Sequence, residues 1–343
     1  MAERPRWQRW WSIAGAIAGA AALAWVFWRV EYERMYDVLD QANAAYVLMV
    51  PLAIALEQLV RAWKWRQLLY AIRPVGTLRL FGAIMAGYFA NLLVPLGLSP
   101  IVRSWLVARL EALKMGAVLA TAAIDRLVDG LIFTGFVAVV VFSAAFPDPD
   151  GDIRLGLIVG GVGSFALFAC LLVALARYKR WVKVPDGWIT RMAERLPERF
   201  SGAVKAAMRS FAEGIVWPRE AWRGAGIVLA SIVIKLIAIT HFLWAGLAFG
   251  LVLPPLDYLF LVVFLGFLII LSRLARIPGG FLIGAIFALD LLGVPDEQAL
   301  AMVLLVNVSS LLTVASIGAF ALWRSGIALD EVHLAKGNTV GRF

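Results

Sequence analysis

The sequence predicts an all-α fold: a polytopic membrane helix bundle of about six spanning helices and two oppositely oriented re-entrant helical hairpins. Of the 343 residues, 62% are hydrophobic and only 16% are charged. A soluble domain is about half apolar and about a quarter charged. The chain as a whole is therefore not a soluble enzyme, a nucleic-acid-binding protein or a secreted disulfide scaffold, and we expect residues 1–343 to form one transmembrane domain.

The apolar runs fall into two classes by length. A membrane crossing needs about 20 apolar residues, and six runs approach or exceed this length: 11–28, 44–60, 117–146, 154–176, 224–250 and 298–323. Four shorter runs form two pairs, 78–94 with 101–110 and 258–272 with 281–293. A Pro/Gly break joins each pair, at Val94–Pro100 and at Arg276–Gly280, and proline stops or kinks a helix.

The charged residues between the runs set the orientation. Arg4, Arg6 and Arg9 predict a cytoplasmic N-terminus, and Arg324 predicts a cytoplasmic C-terminus. Residues 177–223 are predicted as a cytoplasmic basic loop, with an amphipathic surface helix near 200–215.

These cytoplasmic and outer assignments are consistent with one another only if each short pair enters and leaves the membrane on the same side. Two interrupted segments at matching places in two halves are typical of an inverted-repeat transporter. The alternative is about ten ordinary crossings joined by tight turns; the short length of 101–110 and 281–293 favours the hairpins.

Charged residues within the apolar runs are candidates for function because charge is costly in hydrocarbon. Glu57 and Arg61 are four residues apart, so they share a helix face and can pair. We expect the adjacent Trp63, Lys64 and Trp65 to form an interfacial belt at the headgroups.

The first break has the residues of an anion-binding site. Ser99 is a natural helix N-cap, and a helix N-terminus attracts anions. Arg103 adds a guanidinium suited to phosphate, and Asn91 lies just before the break. The alternative is a capped and solvated re-entrant tip.

Two further sets of candidate residues lie in the 117–146 helix and at the second break. Asp125 and Asp129 share a face of the 117–146 helix, and Arg126 can bridge to Asp129; a purely structural ion pair is the alternative. Arg273, Arg276, Gly279 and Gly280 predict a cationic substrate-binding pocket at the second break, unless the arginines only extend to the interface.

The sequence does not predict a metal site, a nucleotide-binding site or a catalytic site. No metal-ligand cluster, nucleotide-binding loop or Ser/His/Asp grouping occurs in the sequence. We therefore expect no enzyme activity, no metal, no cofactor and no nucleic-acid partner, and the sequence does not predict the oligomeric state.

Several of these motifs resemble one known family. They are Arg61–Trp65, Gly87–Pro95 followed by Arg103, Asp125–Asp129, and Pro278–Gly280 followed by Leu292–Pro295. In order and spacing they resemble the lysylphosphatidylglycerol synthase transmembrane region, or flippase-like, family. The resemblance implies a bacterial or archaeal inner-membrane protein, and we expect this chain to lack the family's synthase domain.

The resemblance also implies a function. We expect a lipid transporter or flippase that moves an anionic or glycosylated polar lipid between leaflets, with the headgroup as its ligand. The alternative is a non-transporting scaffold for a glycosyltransferase or lipid-modifying enzyme. The chain departs from the family pattern at Ser99-Pro100, where Gly-Glu is usual, and at Asn307, where arginine is common.

Overall fold

All of the regular structure described is helical. The computed structural model describes residues 32–93, 99–143, 151–182, 198–275 and 280–325. These ranges hold eleven helices and no strand. The helices are α1 (Tyr32–Asp40), α2 (Ala44–Leu69), α3 (Thr77–Leu93), α4 (Ser99–Leu110), α5 (Met115–Val141), α6 (Asp152–Trp181), α7 (Glu198–Gly214), α8 (Ala221–Ala248), α9 (Pro255–Ala275), α10 (Gly280–Leu291) and α11 (Asp296–Arg324).

The long helices confirm a polytopic helical membrane protein. Four of them, α2, α6, α8 and α11, are long and apolar enough to cross a membrane. Helix α5 has 27 residues, or about 40 Å at about 1.5 Å per residue, but carries three charged residues near its middle. The predicted first span, 11–28, lies outside the described residues.

The two predicted short pairs are present as packed pairs of helices. Helix α3 packs against α4, and α9 packs against α10. Helices α4 and α10 have 12 residues each, or about 18 Å, which is too short for an apolar layer about 30 Å thick. This length supports the hairpin reading, while entry from opposite membrane faces stays a prediction. The connections 94–98 and 276–279 lie outside the described residues.

The helices repeat in length. Helices α2 to α5 have 26, 17, 12 and 27 residues, and α8 to α11 have 28, 21, 12 and 29. Helices α4 and α10 also end alike, because Ala112 and Gly293 both have positive φ, +51° and +72°. Each turn is closed by the N–H of the next residue, from Leu113 to the Ala108 carbonyl and from Val294 to the Leu289 carbonyl. These are Schellman turns.

The chain divides into two compact units, each with its own apolar core. Unit 1 comprises the described parts of 1–54, 133–163 and 236–310, and unit 2 those of 55–132, 164–235 and 311–343. The α3–α4 hairpin belongs to unit 2 and the α9–α10 hairpin to unit 1. Helix α2 begins in unit 1 and ends in unit 2, whereas α8 begins in unit 2 and ends in unit 1.

The predicted basic loop is partly helical. Helix α6 continues to Trp181 and α8 begins at Ala221, so both ends of 177–223 are helix ends. Between them, α7 covers the stretch predicted as an amphipathic helix. It packs within unit 2: the Ala117 N–H donates to Ser210 Oγ at 3.2 Å, and Phe211 meets Tyr178 edge-on. The cytoplasmic location of α7 stays a prediction.

We expect docking of α7 to fail when Gly214 is replaced by alanine. A Cβ there would overlap the Ala117 backbone, which cannot move aside as a flexible side chain can. Overpacking of this kind destabilises a protein by about 1–3 kcal/mol. The measurement is the thermal unfolding midpoint of the purified protein in detergent. Gly202→Ala is the matched control, because nothing lies within 4 Å of a Cβ at Gly202 and alanine favours helix. Equal shifts for the two variants would contradict the docking.

Candidate functional site

Unit 2 contains a buried network of charged residues from three helices and one serine from a fourth. Its members are Glu57, Arg61 and Lys64 on α2, Arg103 on α4, Asp125 and Asp129 on α5, and Ser231 on α8. The spacings of four and three residues on α2, and of four on α5, align these side chains on one face of each helix. The two faces meet, and the charges pair across the helices.

Arg61 is fully engaged. Its Nη2 lies 2.7 Å from Glu57 Oε1, and its Nη1 lies 3.0 Å from Asp129 Oδ2. Its Nε donates to Gln58 Oε1 at 3.2 Å. The predicted pairing of Glu57 with Arg61 is therefore confirmed, and Asp129 extends the pair to a second helix.

Lys64 is the centre of the network, and the expectation of an interfacial belt is wrong for it. Its side chain is 0% exposed, and Nζ lies 2.8 Å from Asp125 Oδ1 and 2.5 Å from Asp129 Oδ1. It also donates to Ser231 Oγ at 3.3 Å. Trp65 is also fully buried, and its Nε1 donates to Thr121 Oγ1 at 3.0 Å. A lysine in this position faces two carboxylates instead of the headgroups.

Arg103 is buried but poorly paired. Its side chain is 0% exposed, and its one ion pair with the residues that the structure describes joins Nη2 to Asp125 Oδ2 at 3.4 Å. The guanidinium lies over the Trp65 ring, 4.8 Å from the centroid. Within the described part of the chain, Nε and Nη1 have no hydrogen-bond partner. Because Lys64 holds the other Asp125 oxygen, two donors of Arg103 are left for another acceptor.

Other unpartnered polar atoms lie at the same hairpin. Ser99 Oγ, Ser104 Oγ and Asn91 Oδ1 are buried without a partner among the described residues. A Cβ on Gly87 would lie 3.0 Å from the Ser99 carbonyl and 3.1 Å from Arg103 Cβ, so α3 and α4 cross closely at this glycine. The hairpin thus brings together the predicted residues. Ser99 begins α4 as the predicted N-cap position requires, but its Oγ accepts no hydrogen bond from the described residues.

Arg126 does not make its predicted bridge to Asp129. Its Nη2 donates to the Tyr88 hydroxyl on α3 at 3.3 Å, and the residue is exposed. Asp125 and Asp129 turn toward Lys64, and the next residue along a helix points about 100° away. The pairing prediction for Arg126 is therefore corrected from Asp129 to Tyr88.

One family model matches most of the sequence. The family model described as the lysylphosphatidylglycerol synthase TM region matches residues 11–318. The chain belongs to this family. No curated protein and no solved structure matches it. The family match includes both hairpins and every residue of the network.

The second hairpin of this family member has no arginine at the position that matches Arg103. Arg103 is the fifth residue of α4, and the fifth residue of α10 is Gly284, which packs against Leu268. Gly280 begins α10 and Arg273 lies in the last turn of α9, whereas Arg276 and Gly279 lie outside the described residues. Substrate binding by these four residues stays a prediction.

Sequence reasoning missed several members of the site. Lys64, Trp65 and Ser231 were not predicted to join it, and neither was Tyr88. One signal was present, since Lys64 is seven residues from Glu57 and shares its helix face. The described residues contain no group of three or more His, Cys, Asp or Glu side chains that could hold a metal ion.

Removing Lys64 should strongly destabilise this family member. Lys64→Met leaves Asp125 and Asp129 underpaired, and breaking a buried ion pair costs about 3–5 kcal/mol. Adding Asp125→Asn to Lys64→Met should recover part of the loss, because the two residues are directly coupled. The measurement is the free energy of unfolding in detergent for Lys64→Met, Asp125→Asn and the double variant.

Lys114→Met is the matched control for this prediction. Its ion pair with Glu213 is exposed, and such pairs contribute about 0–1 kcal/mol. Additive effects of Lys64→Met and Asp125→Asn would show that the pair is not coupled.

Proposed function

We propose that the protein is a lipid transporter that moves a polar lipid with an anionic headgroup between the leaflets of the inner membrane of a bacterium or archaeon. Both termini face the cytoplasm in this proposal. Membrane lipids with anionic headgroups are its ligands, and it needs neither a catalytic step nor a cofactor. The observation that carries the proposal is Arg103, a fully buried arginine with two donors that have no hydrogen-bond partner among the described residues.

The described residues compensate the charge of Arg103 only in part. Its single ion pair at 3.4 Å is long for a charge-assisted hydrogen bond. A charge at membrane depth is costly unless an opposite charge meets it, and such residues commonly mark the path of a substrate. An anionic headgroup supplies both the missing charge and the missing acceptors.

The hairpin also supplies polar groups for a headgroup that crosses the membrane. An α-helix that stops inside the membrane leaves backbone groups at that depth, and these can replace water around a polar group. Lipid tails need no such site, because they can remain in the hydrocarbon while the headgroup crosses. Support for the site now rests on Arg103, Ser99 and Asn91 at the first hairpin rather than on Arg273 and Arg276.

The test is headgroup translocation in liposomes. The purified protein is reconstituted with a fluorescent phosphatidylglycerol, and a membrane-impermeant quencher reports lipid exposed on the outer leaflet. Arg103→Gln should slow translocation about 10- to 100-fold, because a charged hydrogen bond contributes about 1.5–3 kcal/mol. The variant should stay folded, since Asp125 keeps Lys64 as its partner.

Arg109→Gln is the matched control. It lies on the same helix, is exposed, and stacks on Trp105, so translocation should be unchanged. No translocation by the unaltered protein would favour the scaffold alternative, in which a glycosyltransferase is the partner. Normal translocation by Arg103→Gln would contradict the site.

A further inference from the structure

Arg126 is an exposed cation deep within a long helix. It lies eleven residues after the start of α5 and fifteen before its end, so each end of the helix is at least about 16 Å away along the axis. A guanidinium at this depth is costly unless water or an anionic group lies beside it. Among the described residues it has one hydrogen bond, to the Tyr88 hydroxyl at 3.3 Å, and no ion pair.

Arg126 and Tyr88 are the chain neighbours of two residues that contact Arg103. On α5, Asp125 is buried and pairs with Arg103, and the next residue, Arg126, points about 100° away from it. On α3, a Cβ at Gly87 would lie 3.1 Å from Arg103 Cβ, and the next residue is Tyr88. The hydrogen bond between Arg126 and Tyr88 therefore joins α5 to α3 beside the buried Arg103.

Exposure decreases in steps from Arg126 to Arg103. Arg126 is exposed, Tyr88 is half-buried, and Arg103 is fully buried. Asn91 lies three residues after Tyr88 on the same side of α3, about 4.5 Å farther along the axis. Its Oδ1 is buried without a hydrogen-bond partner among the described residues. Polar groups thus lead from an exposed arginine to a buried one.

We propose that Arg126 and Tyr88 form an entry position, at which the anionic phosphate group of a lipid binds before it reaches Arg103. In the structure the Tyr88 hydroxyl accepts from Arg126. A phosphate oxygen is the stronger acceptor because it carries negative charge, and it matches the planar donors of arginine. Arg126 therefore exchanges the hydroxyl for the phosphate. This inference rests on the proposed function, because it names a second binding position for the same headgroup.

The two residues have opposite effects on binding in this proposal. Arg126 binds the headgroup, so its loss weakens binding. The Tyr88 hydroxyl competes with the headgroup for Arg126, so its loss strengthens binding. A hydrogen bond that served packing alone would give effects of the same direction, because either replacement breaks it.

The first test measures binding of a fluorescent short-chain phosphatidylglycerol by the purified full-length protein in detergent. Arg126→Gln should weaken binding about 10-fold, and Tyr88→Phe should tighten it about 2- to 5-fold. Arg109→Gln and Tyr36→Phe are the matched controls, because both residues are exposed on other helices, and neither should change the affinity. Unchanged binding by Arg126→Gln, or no tightening by Tyr88→Phe, would overturn the proposal.

Competing ligands identify the source of the phosphate group. Unlabelled short-chain phosphatidylglycerol should displace the probe, whereas equal concentrations of inorganic phosphate and of short-chain phosphatidylcholine, which has no net charge, should not. Displacement by inorganic phosphate would overturn a lipid headgroup as the ligand, and displacement by phosphatidylcholine would overturn recognition of negative charge. Size-exclusion profiles establish that each variant is folded.

A second measurement separates the entry position from the proposed function. In liposomes of phosphatidylcholine, initial translocation rates are measured against the mole fraction of labelled phosphatidylglycerol. Arg126→Gln should raise the half-saturating fraction about 10-fold and keep the maximal rate, whereas Arg103→Gln lowers the maximal rate. Weakened binding by Arg126→Gln without translocation by the unaltered protein would support the entry position and contradict transport. Translocation with an unchanged half-saturating fraction in Arg126→Gln would support transport and contradict the entry position.

Discussion

A charge buried in hydrocarbon is costly unless an opposite charge meets it, and this constraint organises unit 2. Lys64 joins two carboxylates of α5 and a hydroxyl of α8, while Arg61 ties α2 to α5 a second time. Each contact fixes the rotation of one helix against another, because only one face of each helix carries the charge. The ion pairs thus select one packing of helices whose apolar faces could pack in several ways.

The same constraint explains how much of the fold the sequence could predict. Apolar length and Pro/Gly breaks are strong signals, so the described spans and both short pairs were predicted at nearly their observed places. The turns that end α4 and α10 were not predicted. Ala112 has the positive φ that a glycine usually supplies, and an alanine gives no local signal of such a turn.

The site was harder to predict because pairing across helices depends on rotation. The spacing within one helix predicted Glu57 with Arg61, and that pair is present. The spacing within α5 also favoured Arg126 with Asp129, yet Lys64 and Arg61 on α2 take Asp129 first. Lys64 resembled an interfacial residue because tryptophans flank it. A residue pattern alone cannot tell whether such a stretch faces headgroups or another helix.

The two halves of the chain match in helix lengths but not in the charged residues of the network. The helix lengths and closing turns recur in both halves, so the backbone plan follows from breaks and turns that each half retains. The charges of the network do not recur at the matching places, because Gly284 stands at the place of Arg103, and Val306 is the eleventh residue of α11 as Asp125 is of α5. A duplicated scaffold therefore does not imply a duplicated site. In the transport that we propose, the few side chains of the first hairpin and its partners hold the anion, whereas substrate binding at the second hairpin stays a prediction.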